Sequence, residues 1–320
     1  MWKTILRRII LMIPQIVILS ILVFVLGSLM PGDALTGLID PTISAEQVEA
    51  MREKLGLNKP MPERYVDWVS GAIRGDFGRS WQHRQPVLSI IGQRIWPTLW
   101  LSLLTVILTY IIALPLGLLS GRYQNSWLDK GVNLYNFISF SVPSFVLGLL
   151  MLWLFGYTLD WFPTRGTVGS SVSPGTLDYV LSRLNHMILP AVTLALISTT
   201  GTIQYLRTGV IDAKTQDYVR TARAKGVPES KVYSRHIFRN SVLPIAAFMG
   251  YTITGLISGS VITETIFTYQ GMGALFVGSI SNRDFSVMTA LVLLFGIMSL
   301  LGTLLSDIIM VFVDPRIRIN

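Results

Sequence analysis

Six stretches of the chain run for about twenty residues or more with no charged side chain: 9–29, 98–120, 132–159, 187–206, 242–263 and 285–306. A helix of about 20 apolar residues is what a hydrocarbon core about 30 Å thick requires. A helix also satisfies its backbone hydrogen bonds internally, as a lipid-exposed segment must. The pattern therefore predicts an all-α polytopic membrane protein with six transmembrane helices. The first run follows a basic leader (Lys3, Arg7, Arg8), but it is longer than the apolar part of a signal peptide. Met30-Pro31-Gly32-Asp33 follows it in place of a small-x-small cleavage site. It reads as a retained first helix.

Between the first two runs lies a patterned segment, 31–96. Ser44-Ala45-Glu46-Gln47 fits a capping box, with Val48, Met51 and Leu55 at helical spacing before Gly56. A second helix is predicted from Pro62, with Tyr65, Trp68, Val69, Ala72 and Ile73 on one face. These helices should pack on each other or against the membrane surface. Spans two, three and four contain Pro115, Pro143 and Pro190, which predict kinks. Gly255 and Gly259 form a small-xxx-small face for close helix packing. Trp161 and Phe162 are placed like interfacial anchors.

Charge sets the orientation. With the N-terminus inside, 15 of the 26 Lys and Arg residues fall in inside segments, against five loop or tail acids: Asp129, Asp212, Asp217, Glu229 and Asp314. Eight of the remaining basic residues lie in the long 31–96 segment, where charge counts for little in the positive-inside bias. Both termini are thus expected in the cytoplasm and 31–96 outside. Topology accounts for the net charge of +8, so nucleic acid is not implied. Cysteine is absent and His83, His186 and His236 are scattered over different loops, so no metal site is expected. The expected division is a first helix at 1–30, the outer helical segment at 31–96, a five-helix core at 97–313 and a tail at 314–320.

The most informative polar stretch, 207–240, is basic and joins spans four and five. Asp217 is placed to cap a helix over Tyr218-Val219-Arg220-Thr221-Ala222-Arg223-Ala224-Lys225, and Gly226 supplies a left-handed end. Pro228 suits the first turn of a second helix. A basic loop drawn to anionic lipid would explain the charge, but not this helix–glycine–proline–helix layout.

Tyr218 to Gly226, followed by Arg239-Asn240-Ser241-Val242-Leu243-Pro244, resembles the EAA loop of ABC-importer permeases in its peptide/nickel form. Arg220 and Thr221 stand where the general consensus has Glu and Ala, as in that branch. The same branch is resembled by Leu55-Gly56-Leu57-Asn58-Lys59-Pro60, Gly75-Asp76-Phe77-Gly78-Arg79-Ser80 and Pro97-Thr98-Leu99. Glu264-Thr265-Ile266-Phe267, Gly271-Met272-Gly273 and Asp314-Pro315-Arg316 continue the likeness to the end of the chain. The resemblance implies the type I importer fold, with two homologous permeases enclosing a path for di- or oligopeptides, nickel or glutathione. It implies two cytoplasmic ATPases that bind ATP and magnesium, and an extracytoplasmic binding protein that delivers cargo. Asp217, Tyr218, Arg220, Thr221, Ala222, Arg223, Ala224, Lys225 and Gly226 would then form the ATPase-coupling loop. No Gly-Lys pair occurs in the sequence, so a GxxxxGK[ST] phosphate loop is excluded and this chain is expected to be non-catalytic.

Polar residues within the spans are candidates for the path: Tyr135, Asn136, Ser139 and Ser141; Ser198, Thr199, Thr200 and Thr202; Thr252, Thr254, Ser258 and Ser260. The alternative for each is ordinary interhelical hydrogen bonding. Glu264 is a carboxylate at a span end and is expected to hold the following loop or form part of a gate. No converging nucleophile, base or metal set is visible for an intramembrane enzyme. A secondary transporter would want inverted repeats or intramembrane coupling charges, and only Glu264 and Asp307 sit near span ends.

Overall fold

The apolar runs fold as helices. A computed structural model describes residues 2–29, 45–54, 56 and 58–313, and the only β-pairing among them is one bridge between Arg79 and Pro86. The first run is α1 (Trp2–Leu29), followed by the short helices α2 (Ala45–Lys54) and α3 (Met61–Ile73). Next come α4 (Val87–Arg122), α5 (Trp127–Ser141), α6 (Ser144–Met151), a π-helical stretch over Leu152–Thr158, and α7 (Leu177–Lys214). The polar loop holds α8 (Asp217–Ala224), α9 (Glu229–Lys231), a second π-helical stretch over Val232–Ile237, and α10 (Phe238–Ser241). The chain closes with α11 (Leu243–Gly259), α12 (Val261–Ile266), α13 (Met272–Ser281) and α14 (Phe285–Val313). Among the described residues, five helical stretches are long and apolar enough to cross a membrane, or six if α5 and α6 count as one bent span.

That bend corrects the expectation of a kinked third span. α5 and the helix that follows it meet at 102°. Pro143 removes a helical N–H and drives the residue before it out of the α region, so Val142 is extended at φ −84°, ψ 121°. Pro115 and Pro190 stay inside continuous helices, as does Pro14 in α1. Pro190 sits between the buried residues Leu189 and Ala191, where packed neighbours hold the helix on course.

Small residues set the helix crossings, though not at Gly255. Gly255 has no neighbour within 4 Å of where a Cβ would stand, and the surroundings of Gly259 and the Ser258 side chain lie outside the described residues. The close α11–α14 contact is made one turn earlier. A Cβ on Gly250 would lie 2.3 Å from the Ser306 nitrogen, and one on Gly302 would overlap Thr254. The Tyr251 N–H donates to Ser306 Oγ across the same crossing at 3.0 Å. Helices α4 and α7 cross in the same way, with Gly117 against Leu206 and Gly121 against Val210.

Helix α1 packs along α14, with Leu19 over Gly296. At the end of the bundle carrying the polar loop, Arg8 pairs with Asp307 at 2.8 Å. Helix α3 begins one residue before the expected start and rests on α1. Its Tyr65 shares a 2.8 Å hydrogen bond with Ser20, and its Tyr65 and Trp68 rings lie 5.5 and 5.8 Å from Phe24. Ile73, expected on the packed face, is exposed. Ser44 of the capping box, the side chains of Val48, Met51 and Leu55, and the 314–320 tail lie outside the described residues.

Candidate functional site

The polar loop is an ordered platform. Helix α8 buries Val219 and Ala222, one turn apart, in an apolar cluster with Leu206, Val210 and Ala213 of α7. Val232, Tyr233 and Ile237 from the loop's second half and Ile245 of α11 complete the cluster, and Leu114 and Leu118 of α4 pack against it. Three spans therefore share one base with the loop. The Arg122 guanidinium, at the end of α4, lies 4.6 Å from the Tyr233 ring centroid and adds a cation–π contact.

The end of α8 is the predicted left-handed turn. Gly226 has φ +74°. Its N–H donates to the Arg223 carbonyl at 2.9 Å, and the Val227 N–H donates to the Ala222 carbonyl at 3.2 Å. These are the two bonds of a Schellman motif, and Val227 supplies its hydrophobic contact by packing on the cluster that contains Ala222. Pro228 then starts α9 as its N-cap. Across the turn the Arg223 guanidinium clasps Glu229 with contacts of 2.7 and 3.3 Å. The hydrogen bond to Glu229 raises the Arg223 pKa above its ordinary value.

The start of α8 differs from expectation. Gln216 occupies the N-cap, makes no side-chain cap, and leaves Asp217 as the first helical residue. There the Asp217 charge still favours the helix N-terminus through the dipole, and it lies 3.6 Å from Arg220. Of the residues expected in the coupling loop, Ala222 belongs to the buried base. Asp217, Tyr218, Arg220, Thr221, Arg223, Ala224, Lys225 and Gly226 form the exposed face. Arg220 has 74% of its side chain exposed, against 41% for Arg223.

Behind the platform is a polar cluster that charge counting along the sequence missed. Asp129, near the start of α5, accepts from Arg207 Nε at 2.7 Å and Nη2 at 2.9 Å, although the residues are 78 positions apart. Ser120 Oγ, the Asn125 N–H and Asn133 Nδ2 also donate to the Asp129 carboxylate, at 2.5, 2.8 and 2.9 Å. Lys214 Nζ donates to the Gly121 carbonyl at 2.7 Å. The ends of α4, α5 and α7 are thereby joined immediately above the loop. In sequence Asp129 is one of five acids among the basic inside segments, and nothing along the chain pairs it with Arg207.

At the other end of the bundle three of the family-like motifs converge. Glu264 is fully buried and accepts from Thr98 Oγ1 at 2.8 Å and Ser260 Oγ at 2.6 Å. It also accepts the Gly273 and Ala274 N–H groups at 2.7 and 3.0 Å, in the first turn of α13. A carboxylate is favoured there by the helix dipole and by N–H groups that lack helical partners. The Met272 N–H donates to Thr98 Oγ1 at 2.8 Å, and the Tyr269 hydroxyl donates to the Pro97 carbonyl at 3.1 Å. Burial pushes the Tyr269 phenol up from its ordinary pKa. A Cβ on Gly271 would fall 2.3 Å from Thr98 Oγ1, and one on Gly273 would fall 2.6 Å from the Val261 Cα. Glu264 thus ties the first turn of α13 to Thr98 of α4 and to Ser260 before α12.

The candidates for the path divide. Tyr135 donates to the Leu196 carbonyl at 2.7 Å and shares a 2.7 Å bond with Thr199, joining α5 to α7. Ser141 and Thr252 bond back to their own helices, at Phe137 and Phe248. Thr254 lies in the α11–α14 crossing, and Ser260 is committed to Glu264. These side chains make interhelical or local hydrogen bonds. Asn136 is buried with both amide atoms unpaired among the described residues, as is the Thr200 hydroxyl. Ser139, Ser198 and Thr202 are partly exposed.

Two family profiles account for most of the chain. The one described as "Binding-protein-dependent transport system inner membrane component" matches residues 113–319, and its N-terminal companion matches 1–103. The oligopeptide transport system permease protein AppB of Bacillus subtilis is 38% identical over 315 residues, covering 98% of both chains. The glutathione transport system permease protein GsiC of Escherichia coli strain K12 is 32% identical over 318 residues, covering 99% of both. A solved inward-facing structure of the MetNI methionine ABC transporter superposes with a TM-score of 0.54 at 14% identity, covering 71% of this chain and 97% of that one. The last likeness speaks for the fold alone. With profile matches along its length and relatives of this similarity, the chain belongs to the family of inner-membrane components of binding-protein-dependent transport systems, as the membrane-spanning permease subunit of an ABC importer.

Proposed function

We propose that the chain forms half of the translocation path for peptides of a few residues, and that the 207–240 loop receives the stroke of a cytoplasmic ATPase. The observation that carries this reading is α8: a short helix set on a base shared with three spans, ended by a Schellman turn, and presenting a mainly basic face to solvent. Such a helix transmits a push to α4, α7 and α11 together. A lipid-binding loop needs the charge but not the shared base. A second, related permease would enclose the other half of the path, and two ATPase subunits would bind the ATP and magnesium. This chain then contributes no catalytic group. An extracytoplasmic binding protein would deliver the cargo. Short peptides fit the name of the AppB relative, and glutathione, named for GsiC, is itself a tripeptide. Nickel is the remaining cargo of this branch.

In the same reading the membrane is the bacterial or archaeal cytoplasmic membrane, with both termini and the loop inside and 31–96 outside. The Arg8–Asp307 pair supports this by bringing the first and last spans together at the loop's end of the bundle. The chain has no native cysteine, so Ala224→Cys on the exposed face of α8 tests orientation and docking together. An impermeant thiol reagent is expected to spare it in intact cells and label it in inside-out vesicles stripped of ATPase. Restoring the ATPase subunits should protect it at least tenfold. Labelling in intact cells would overturn the orientation, and equal labelling with and without ATPase would overturn the docking role.

A further inference from the structure

The third span leaves helical geometry within the thickness of the membrane. Helix α5 has 15 residues, so at 1.5 Å each it is about 22 Å long. It starts beside the Asp129–Arg207 cluster, and a hydrocarbon core is about 30 Å thick. Its end at Ser141 therefore falls short of the far interface. Helix α6 turns away and packs across the far end of the bundle, where a Cβ on Gly148 would meet Ile266 at 3.1 Å.

The break strands backbone groups. Pro143 has no N–H to offer the Ser139 carbonyl, and the Val146 and Leu147 N–H groups both go to the Pro143 carbonyl. The backbone over Val142 and Pro143 makes no helical turn, so the Ser139, Phe140 and Ser141 carbonyls at the end of α5 lose their next-turn N–H partners, and no bond to the Val142 carbonyl occurs among the described residues. The Ser144 and Phe145 N–H groups, the first two of α6, have no preceding turn to donate to. The chain does not bury this site either: Phe140 is 86% exposed and Phe137 71%, and Ser141 and Pro143 are exposed. Free carbonyls cannot face lipid, and non-helical backbone at this depth occurs only inside protein or along a water-filled cavity. A second permease made of helices has its own N–H groups committed, so it would have to meet a row of acceptors with side-chain donors alone.

We propose that the break at 139–144 lines the translocation path and presents its carbonyls as a hydrogen-bond station for cargo rich in N–H donors. Peptide amides and a protonated peptide N-terminus are that chemistry, and Phe137 and Phe140 flank the station as apolar contacts. The peptide part rests on the function proposed above. The water-lined part does not.

The test uses Phe140→Cys and Ser141→Cys, made singly in the assembled importer, with Ile18→Cys on the exposed face of α1 for comparison. A small cationic methanethiosulfonate reagent is applied to vesicles in nucleotide-free and ATP-bound states. Reaction at 140 or 141 is expected to be at least tenfold faster than at Ile18 in one of the two states. A transported peptide supplied with its binding protein should slow it severalfold. If either variant transports peptide while both positions react no faster than Ile18 in both states, the break is sealed, and the inference falls while the transport function stands. Rapid labelling that a transported peptide does not slow overturns the acceptor role.

Discussion

Gly226→Val is expected to leave the protein in the membrane and its binding protein able to dock, yet to cut cargo uptake and cargo-stimulated ATP hydrolysis at least tenfold. Gly226 sits at φ +74°, and nothing lies within 4 Å of where its Cβ would be. The substitution therefore adds no clash, only backbone strain. For a left-handed residue that strain is about 1–2 kcal/mol, small against the stability of a domain. Relief would come from turning the residue back to negative φ, which breaks the Gly226 and Val227 bonds and re-aims α9 relative to α8. The defect belongs to transmission rather than folding. Asparagine tolerates the left-handed region, so Gly226→Asn should keep most of the uptake. Parallel uptake and ATPase assays on the two variants separate geometry from bulk. Normal uptake with valine would remove the coupling role assigned to this turn.

The second large effect is expected at the Asp129–Arg207 pair. The side chains are 3% and 19% exposed, so removing one partner leaves a charge with little water to stabilise it. Breaking a buried pair in this way typically costs about 3–5 kcal/mol. Asp129→Ala and Arg207→Ala should each lower the thermal midpoint of the purified complex and its yield. Asp129→Asn with Arg207→Gln, which keeps hydrogen-bonding groups without charge, should recover much of the loss. A double-mutant cycle on thermal stability measures the coupling directly. Single variants as stable as wild type would show that the cluster does not brace the spans.

Much of this architecture is legible in the sequence, for identifiable reasons. Long uncharged runs declare spans because hydrocarbon admits few alternatives. The Gly226–Pro228 punctuation declares a helix end and a new start because each residue is suited to one backbone task. What stays hidden depends on contacts between distant segments. Pro115, Pro143 and Pro190 look alike in sequence, yet only Pro143 breaks its helix; Val142 before it is extended, while Pro190 is held between buried neighbours. Gly255 has the spacing of a packing face with Gly259, but nothing lies within 4 Å of where its Cβ would be, and Gly250 and Thr254 meet α14. Glu264 announces itself as a costly carboxylate. Its four donors come from Thr98, Ser260 and the α13 N-terminus, and nothing in its neighbourhood along the chain names Thr98. The proposed coupling face is readable as a list of residues, but the division of α8 into the buried Val219 and Ala222 and an exposed remainder follows from the base beneath it.

On the function proposed above, this chain moves cargo only when separate ATPase subunits drive it through the loop. Uptake of a labelled tripeptide into proteoliposomes tests it most directly, with the assembled complex, binding protein on the outer side and ATP supplied to the ATPase side. Uptake is expected to require all of these components and to stop when hydrolysis is blocked. Uptake that persists without the ATPase subunits, driven by a proton or sodium gradient, would contradict it.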